Sequence, residues 1–374
     1  MDSLKKQSWK LPTKIDKFEN VLFNEAEKDL PSHLRIHCVK RLEMLYSPLS
    51  FQVELITLVE CLIWEGYKGR NPYSTNNILK FRQDRFLDFY QNEKLTASGG
   101  TLIGVSGMGK SVSVQHALSS LTQVLHLEDE FKYKVPLSQL VWLNIDCIHD
   151  GSFRGLCNLI VNNVDYVLQT EYASLLPKKC STERLATFTA KILRLHGLGL
   201  LVIDEIQHLL QASEQEQTKA LQFLSQLVNN IGIPVLLIGT PKAYELVYKK
   251  FIPSVRSSCK KNLVWNRVEQ GYDWNKLVET LLRFQWTIET VPFSSEIVCV
   301  LYQESIGIPW VAVKSYILAQ QRAINLDMPR ITPELIRAVI RENLKLIQPM
   351  LDAVKSEENS YSCEVSDLII PNLA

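Results

Sequence analysis

The 374 residues allow about two to three domains and a full apolar core, with no need of disulfide or metal staples. Lysine and arginine (41) almost cancel aspartate and glutamate (40), which excludes nucleic-acid binding through bulk charge and leaves any such contact to a local basic surface. Eight cysteines, at 38, 61, 147, 157, 180, 259, 299 and 363, make no Cys-x-x-Cys pair and no zinc spacing, and no apolar run approaches the roughly 18 residues of a membrane span, so a cytoplasmic protein with reduced thiols and no membrane partner is expected.

Residues 1 to about 30 mix lysines and acids with few large apolar groups (Trp9, Phe18, Val21, Leu22, Phe23), the composition of an arm that orders only against something else. From Pro31 the apolar residues recur at helical spacing, broken at Pro48, where Ser50 starts a helix that ends near Glu65. The segment Gly66-Tyr67-Lys68-Gly69-Arg70-Asn71-Pro72 reads as a turn, and a second helix is expected over Asn76–Lys94. Thr101-Leu102-Ile103 is a short strand running into Gly104-Val105-Ser106-Gly107-Met108-Gly109-Lys110-Ser111, after which Val112 to Leu121 is helical. Gln139–Cys147 reads as a second strand and Phe153–Leu168 as the next helix. Gly199–Asp204 and Pro234–Gly239 are continuous apolar runs too short for helices, as buried parallel strands require, with a helix over Thr218–Asn230 between them and a fifth strand at Asn262–Trp265. Beyond Tyr272 only helical spacing remains: Trp274–Thr287, Ser294–Ser305, Trp310–Leu326, and a last helix opened by Thr332 with Pro333 and Glu334 behind it. The fold class is therefore α/β, a parallel five-stranded sheet flanked by helices, with a C-terminal helical lid and an N-terminal helical extension. The domains divide as 1–95 (arm and extension), 96–268 (α/β domain), 269–350 (lid) and 351–374 (a polar tail ending in Leu368-Ile369-Ile370-Pro371).

The chemistry gathers at the strand ends. Three glycines in Gly104–Ser111 allow a tight turn that aims backbone N–H groups into a concave anion site at a helix start. Lys110 then reaches the β- and γ-phosphates of a nucleotide and the Ser111 hydroxyl ligates Mg²⁺. Gly104, Ser106, Gly107, Met108, Gly109, Lys110, Ser111 and Val112 form this candidate ATP cradle. Asp204 and Glu205 close a buried strand at the same edge: Asp204 would join Ser111 around Mg²⁺, and Glu205 would polarise the attacking water. The same pair would also suit the N-terminus of a helix starting at Ile206. Thr240, ending the next strand, has a hydroxyl within range of a γ-phosphate or the water, or serves as a turn residue before Pro241. Arg256, between Lys249-Lys250 and Lys260-Lys261, fits either an arginine finger acting on a neighbouring subunit or a solvated basic loop.

In order, the phosphate loop, the hydrophobic strand ending in Asp204-Glu205, the polar strand end, the arginine after the last strand and the helical lid resemble the AAA+ ATPases. The resemblance narrows on Gly66–Pro72, Asp146-Cys147 with Asp150-Gly151-Ser152, Asp204-Glu205-Ile206-Gln207-His208-Leu209, Gly239-Thr240-Pro241-Lys242-Ala243, and Gly307-Ile308 with Val313-Lys314. Over roughly residues 50–350 these look like TnsC/TniB-type transposition regulators, including those of CRISPR-associated transposons. That resemblance implies an ATPase that assembles with itself, as a hexameric or heptameric ring or a helical filament, on double-stranded DNA. It would join transposase subunits of the TnsA/TnsB type to a target selector of the TniQ/TnsD type, with or without an RNA-guided effector. It also implies DNA contacts after the second strand, at Arg154, Lys178, Lys179 and Thr182, where ordinary surface charge is the competing reading, and a second sensor at Lys314, where the wider superfamily more often has arginine. The core alone is equally that of a replication-initiator-like loader or of a signalling NTPase that never meets DNA.

Overall fold

The computed structural model describes residues 23–68, 70, 97–127, 137–176, 180–255 and 262–343. It forms two compact units: one holds Glu54–Gly104 and Lys110–Val264, the other Met1–Val53, Val105–Gly109 and Trp265–Ala374.

The first unit is built on strands β1 (Gly99–Gly104), β4 (Trp142–Asp146), β5 (Leu200–Asp204), β6 (Val235–Gly239) and β7 (Asn262–Trp265), a parallel sheet in the order β4-β5-β6-β1-β7. Every residue of β5 and β6 is buried, as central strands covered on both faces must be. The register pairs Asp146 with Asp204, Ile203 with Leu237 and Ile103 with Gly239, so four strands finish in line at one carboxyl edge. Helices α3 (Lys110–Ser119), α4 (Phe153–Leu168), α5 (Thr182–Leu195) and α6 (Glu214–Gln226) connect the strands. Ser152 caps α4 by accepting the Gly155 N–H, and Phe153, Leu156, Cys157, Ile160, Val161 and Val164 bury one face of it.

The first unit departs from the sequence reading in several places. The run Gln139–Cys147 is two strands, because the chain leaves one sheet at Val141, whose N–H goes to the Gln123 carbonyl (2.8 Å). β3 (Leu137–Leu140) pairs antiparallel with an unread strand β2 (Val124–Leu127), and only β4 joins the main sheet. A run with strand character throughout does not mark such a crossover. The helix expected from Ile206 is a 3₁₀ turn, Ile206–Gln211. The helix expected at Thr218 begins earlier, at Glu214, because Ser213 caps it through the Glu216 N–H, and α5, also unread, opens where Ser181 caps the Arg184 N–H.

Helix α2 (Ser50–Lys68) ends in the Gly66–Pro72 segment, whose described side chains brace the sheet's amino-terminal edge. The Tyr67 hydroxyl donates to the Gly197 carbonyl (2.8 Å), and Arg70 donates to the carbonyls of Gly66 (3.0 Å) and Leu198 (2.9 Å). A Cβ on Gly199 would lie 2.7 Å from the Tyr67 hydroxyl and 2.3 Å from the Val141 carbonyl oxygen, so only glycine lets the tyrosine in.

The second unit holds α1 (Ser32–Val39), α7 (Tyr272–Leu282), α8 (Ser295–Ser305), α9 (Pro309–Asn325) and α10 (Pro333–Asn343) around Trp274, Trp286 and Tyr316, all fully buried. The helix read as Trp274–Thr287 stops at Leu282. Gln285 then holds the chain in a loop, donating to the Leu282 and Val291 carbonyls and accepting the Val291 N–H. The end of the supposed arm is ordered on this unit, with a 3₁₀ turn at Glu25–Asp29. Phe23 meets the rings of Phe284 and Trp286 edge to face, Glu27 accepts the Trp286 indole N–H (2.7 Å) and pairs with Arg41 (2.7 Å), and buried Arg35 donates to the Trp286 carbonyl. The helix expected at Asn76–Lys94 and the tail 351–374 lie outside the described residues. Among the described residues no single helix is long and apolar enough to cross a membrane.

Candidate functional site

Strand β1 delivers the chain to Gly104, and the loop after it turns through positive φ at Gly107 (84°) and Gly109 (80°), which glycine adopts without cost. Helix α3 starts at Lys110, whose ammonium folds back to donate to the Gly104 carbonyl (2.7 Å) and is nearly buried. Burial pulls the Lys110 pKa below the usual lysine value, and the Asp204 and Glu205 carboxylates pull the other way. A largely buried ammonium at the start of a helix is suited to an anion bound beside it. Ser111 and Val112 follow, both exposed on the first turn of α3.

Asp204, 4 % exposed, ends β5, and its Oδ1 accepts the Glu205 N–H (2.7 Å). Glu205 sits at φ 54°, a left-handed conformation uncommon outside glycine. Its carboxylate accepts from the Gln207 amide, whose own oxygen accepts the Thr240 N–H (3.2 Å) at the end of β6. The Thr240 hydroxyl is buried and makes no hydrogen bond, a polar atom placed for a ligand group or a water. The hard oxygens of Ser111 and Asp204 are of the kind that suits Mg²⁺. Lys110, Asp204, Glu205 and Thr240 are thus brought to one edge, as their order in the sequence implied.

Of the remaining candidates, Lys314, Arg154 and Thr182 are among the described residues. Lys314, on α9, pairs with Glu43 (2.7 Å). The residue of α9 that touches the glycine loop is Trp310, whose backbone N–H donates to the Gly107 carbonyl (3.1 Å) and whose side chain is half exposed. Arg154 donates to the Cys180 carbonyl and so ties the start of α4 to the residue before the Ser181 cap, and Thr182 opens α5. Lys178, Lys179 and Arg256 lie outside the described residues. Neither Gln207 nor Trp310 was assigned a task from sequence. Glutamine two residues after a carboxylate has no reason to meet it until a left-handed residue and a 3₁₀ turn fold the chain back, and Trp310 meets Gly107 only through tertiary packing.

Beside the acids, Cys147 is inert: burial pushes its thiol up to about 12. The carbonyl of the same residue faces Nδ1 of His208 (2.9 Å), which anchors the turn carrying Gln207 to the end of β4.

A family model described as an AAA domain matches residues 94–247, the stretch containing the glycine loop, Asp204-Glu205 and Thr240. Over these residues the chain is similar to an AAA domain. With the strand order β4-β5-β6-β1-β7 and a helical C-terminal region, the fold is that of the AAA+ P-loop NTPases. No curated protein matches the chain at a significant level. Solved structures similar to it include Aeropyrum pernix ORC2 with ADPNP and ADP (14% identity, 79% of this chain and 68% of that one, TM-score 0.47). Pyrobaculum aerophilum Cdc6p is similar over 78% of both chains (14% identity, TM-score 0.46). The Thermotoga maritima RuvB branch-migration motor is similar over 73% of this chain and 78% of its own (12% identity, TM-score 0.37).

Proposed function

We propose that the AAA domain binds ATP with Mg²⁺ and hydrolyses it, and that the protein is a cytoplasmic nucleotide switch assembling on double-stranded DNA to regulate transposition. The observation that carries the hydrolytic part is the convergence of Lys110, Asp204, Glu205 and Thr240 on the carboxyl edge of one sheet. Lys110 and the backbone donors of the loop bind the phosphates. Ser111 and Asp204 would hold Mg²⁺, which supplies charge neutralisation on the phosphates. Glu205 takes the proton of the attacking water, and Thr240 places a hydroxyl beside it.

The DNA part rests on the resemblance of the Gly66–Pro72, Asp204–Leu209 and Gly239–Ala243 segments to transposition regulators of the TnsC/TniB type. In that role the assembled protein recruits transposase subunits to a target-selecting partner, and hydrolysis resets it. Arg154, Lys178, Lys179 and Thr182 would supply phosphate contacts that position the protein without reading sequence, Arg256 a finger toward the next copy, and Lys314 a γ-phosphate sensor once it leaves Glu43.

The test is ATP turnover with and without duplex DNA over a range of salt, joined to electron microscopy of the same mixtures with a non-hydrolysable analogue. Nucleotide-dependent rings or filaments on the duplex, with affinity falling steeply as salt rises, are expected. Turnover without any DNA association would leave the ATPase and remove the transposition role, and translocation along the duplex would point to a loader instead.

A further inference from the structure

Glu205 is aimed by a clamp with two ends. One amide hydrogen of Gln207 goes to a carboxylate oxygen of Glu205, and the amide oxygen of the same side chain takes the Thr240 N–H at 3.2 Å. Both residues are only half-buried, so neither bond is forced by exclusion of water. The fit is nonetheless close: a Cβ on Gly239 would lie 3.0 Å from the Gln207 amide oxygen and 2.8 Å from Ile206 Cγ2, so β6 ends in the residue that leaves the amide its room. The far side of the turn is fixed independently, by the contact of His208 with the Cys147 carbonyl.

We infer that Gln207 is a positioning residue for hydrolysis, one that holds the Glu205 carboxylate in its attacking orientation and ties that orientation to the end of β6. The inference rests on the hydrolytic reading of Glu205. A carboxylate on a left-handed backbone, with its own side-chain torsions free, samples several directions. One amide bond fixes one oxygen and leaves the other for the water, whose proton it takes as the water oxygen bonds to the γ-phosphorus and ADP departs. Because the amide's other end is on the Thr240 backbone, a displacement of Thr240 on binding a γ-phosphate turns the amide and the carboxylate together. The clamp thereby makes the aim of the base depend on what occupies the phosphate site.

The decisive variant is Gln207→Glu. It keeps the shape and an acceptor for the Thr240 N–H, but replaces the donor facing Glu205 with a second carboxylate. Steady-state ATPase measurements on the full chain are expected to give a kcat at least about tenfold below wild type, with KM for ATP changed by less than about twofold, since the substrate is bound by other groups. Gln207→Ala should behave likewise. In a Glu205→Gln background neither substitution should lower the residual rate further, because Gln207 acts only through Glu205; a merely structural residue would subtract its own factor there. Wild-type turnover in Gln207→Glu, an unchanged kcat with a raised KM, or a full additional loss in the Glu205→Gln background would each overturn the inference while leaving the ATPase standing. Wild-type turnover in Glu205→Gln alone would overturn the hydrolytic reading and this inference with it.

Discussion

In the proposed reading, nucleotide affinity rests on Lys110. Its ammonium is nearly buried and is held by one carbonyl and two nearby carboxylates, a surrounding that favours the charged form less than water does. A polyphosphate bound beside it would favour the charged form. Hydrogen bonds to charged groups are worth roughly 1.5–3 kcal/mol, so Lys110→Ala should weaken ATP binding by about 10- to 150-fold. Isothermal titration with ATP measures this directly, and unchanged affinity would remove Lys110 from the site. Lys110 and Glu205 were legible in the sequence because loop and strand-end motifs place them by local spacing alone. Gln207 was visible there only as part of a resembling motif, since its contact needs a left-handed residue at Glu205 that no propensity predicts.

Between elements, the turn joining α5 to β5 carries a titratable brace. Nδ1 of His196 faces the Ser138 carbonyl (2.9 Å), so that nitrogen carries the proton, and Nε2 accepts from the Tyr172 hydroxyl (2.8 Å). Burial holds the His196 pKa below its ordinary 6.5, more than the Ser138 carbonyl and Asp165 restore. The unfolded chain therefore takes up a proton at a pH where the folded chain does not, and stability is lost as pH falls from 6.5 toward the lowered folded value. Urea unfolding at about pH 7.5 and pH 5.5 should show a larger loss for wild type than for His196→Gln, which keeps a donor and an acceptor but does not titrate in this range. Equal losses would show that His196 carries none of the acid sensitivity. At this scale the sequence placed the strands well, because buried parallel strands are written as unbroken apolar runs. It merged β3 with β4, because a run read as one strand does not record where it changes sheet, and it left β2, only four residues long, unread.

At the scale of the whole molecule, chain order and spatial grouping part company. Met1–Val53 belongs with Trp265–Ala374, and the described part of that early segment covers Trp286 and Phe284 through Phe23, Glu27, Arg35 and Arg41. Removing residues 1–44 should uncover the Trp286 indole and leave its N–H without Glu27. Exposing one large apolar side chain costs about 1.5–3 kcal/mol before the lost hydrogen bonds, so the unit containing α7–α10 should unfold at clearly lower urea and be cleaved near Trp286 by chymotrypsin. Unchanged unfolding and cleavage would mean that the early segment is an ornament on that unit.

The amino-acid sequence by itself determined the phosphate loop, the buried strands that end at Asp204 and Gly239, and the helical region after Tyr272, because each is set by spacing within a dozen residues or fewer: glycine where φ is positive, apolar runs where both faces are covered, 3.6-residue periodicity where one is. The tertiary structure alone decided that Gln207 bridges Glu205 and Thr240, that Trp310 meets Gly107, that Lys314 pairs with Glu43, and that the early segment covers Trp286. Those partners are up to 271 residues apart, and side chains so separated are matched by packing, which no local pattern encodes.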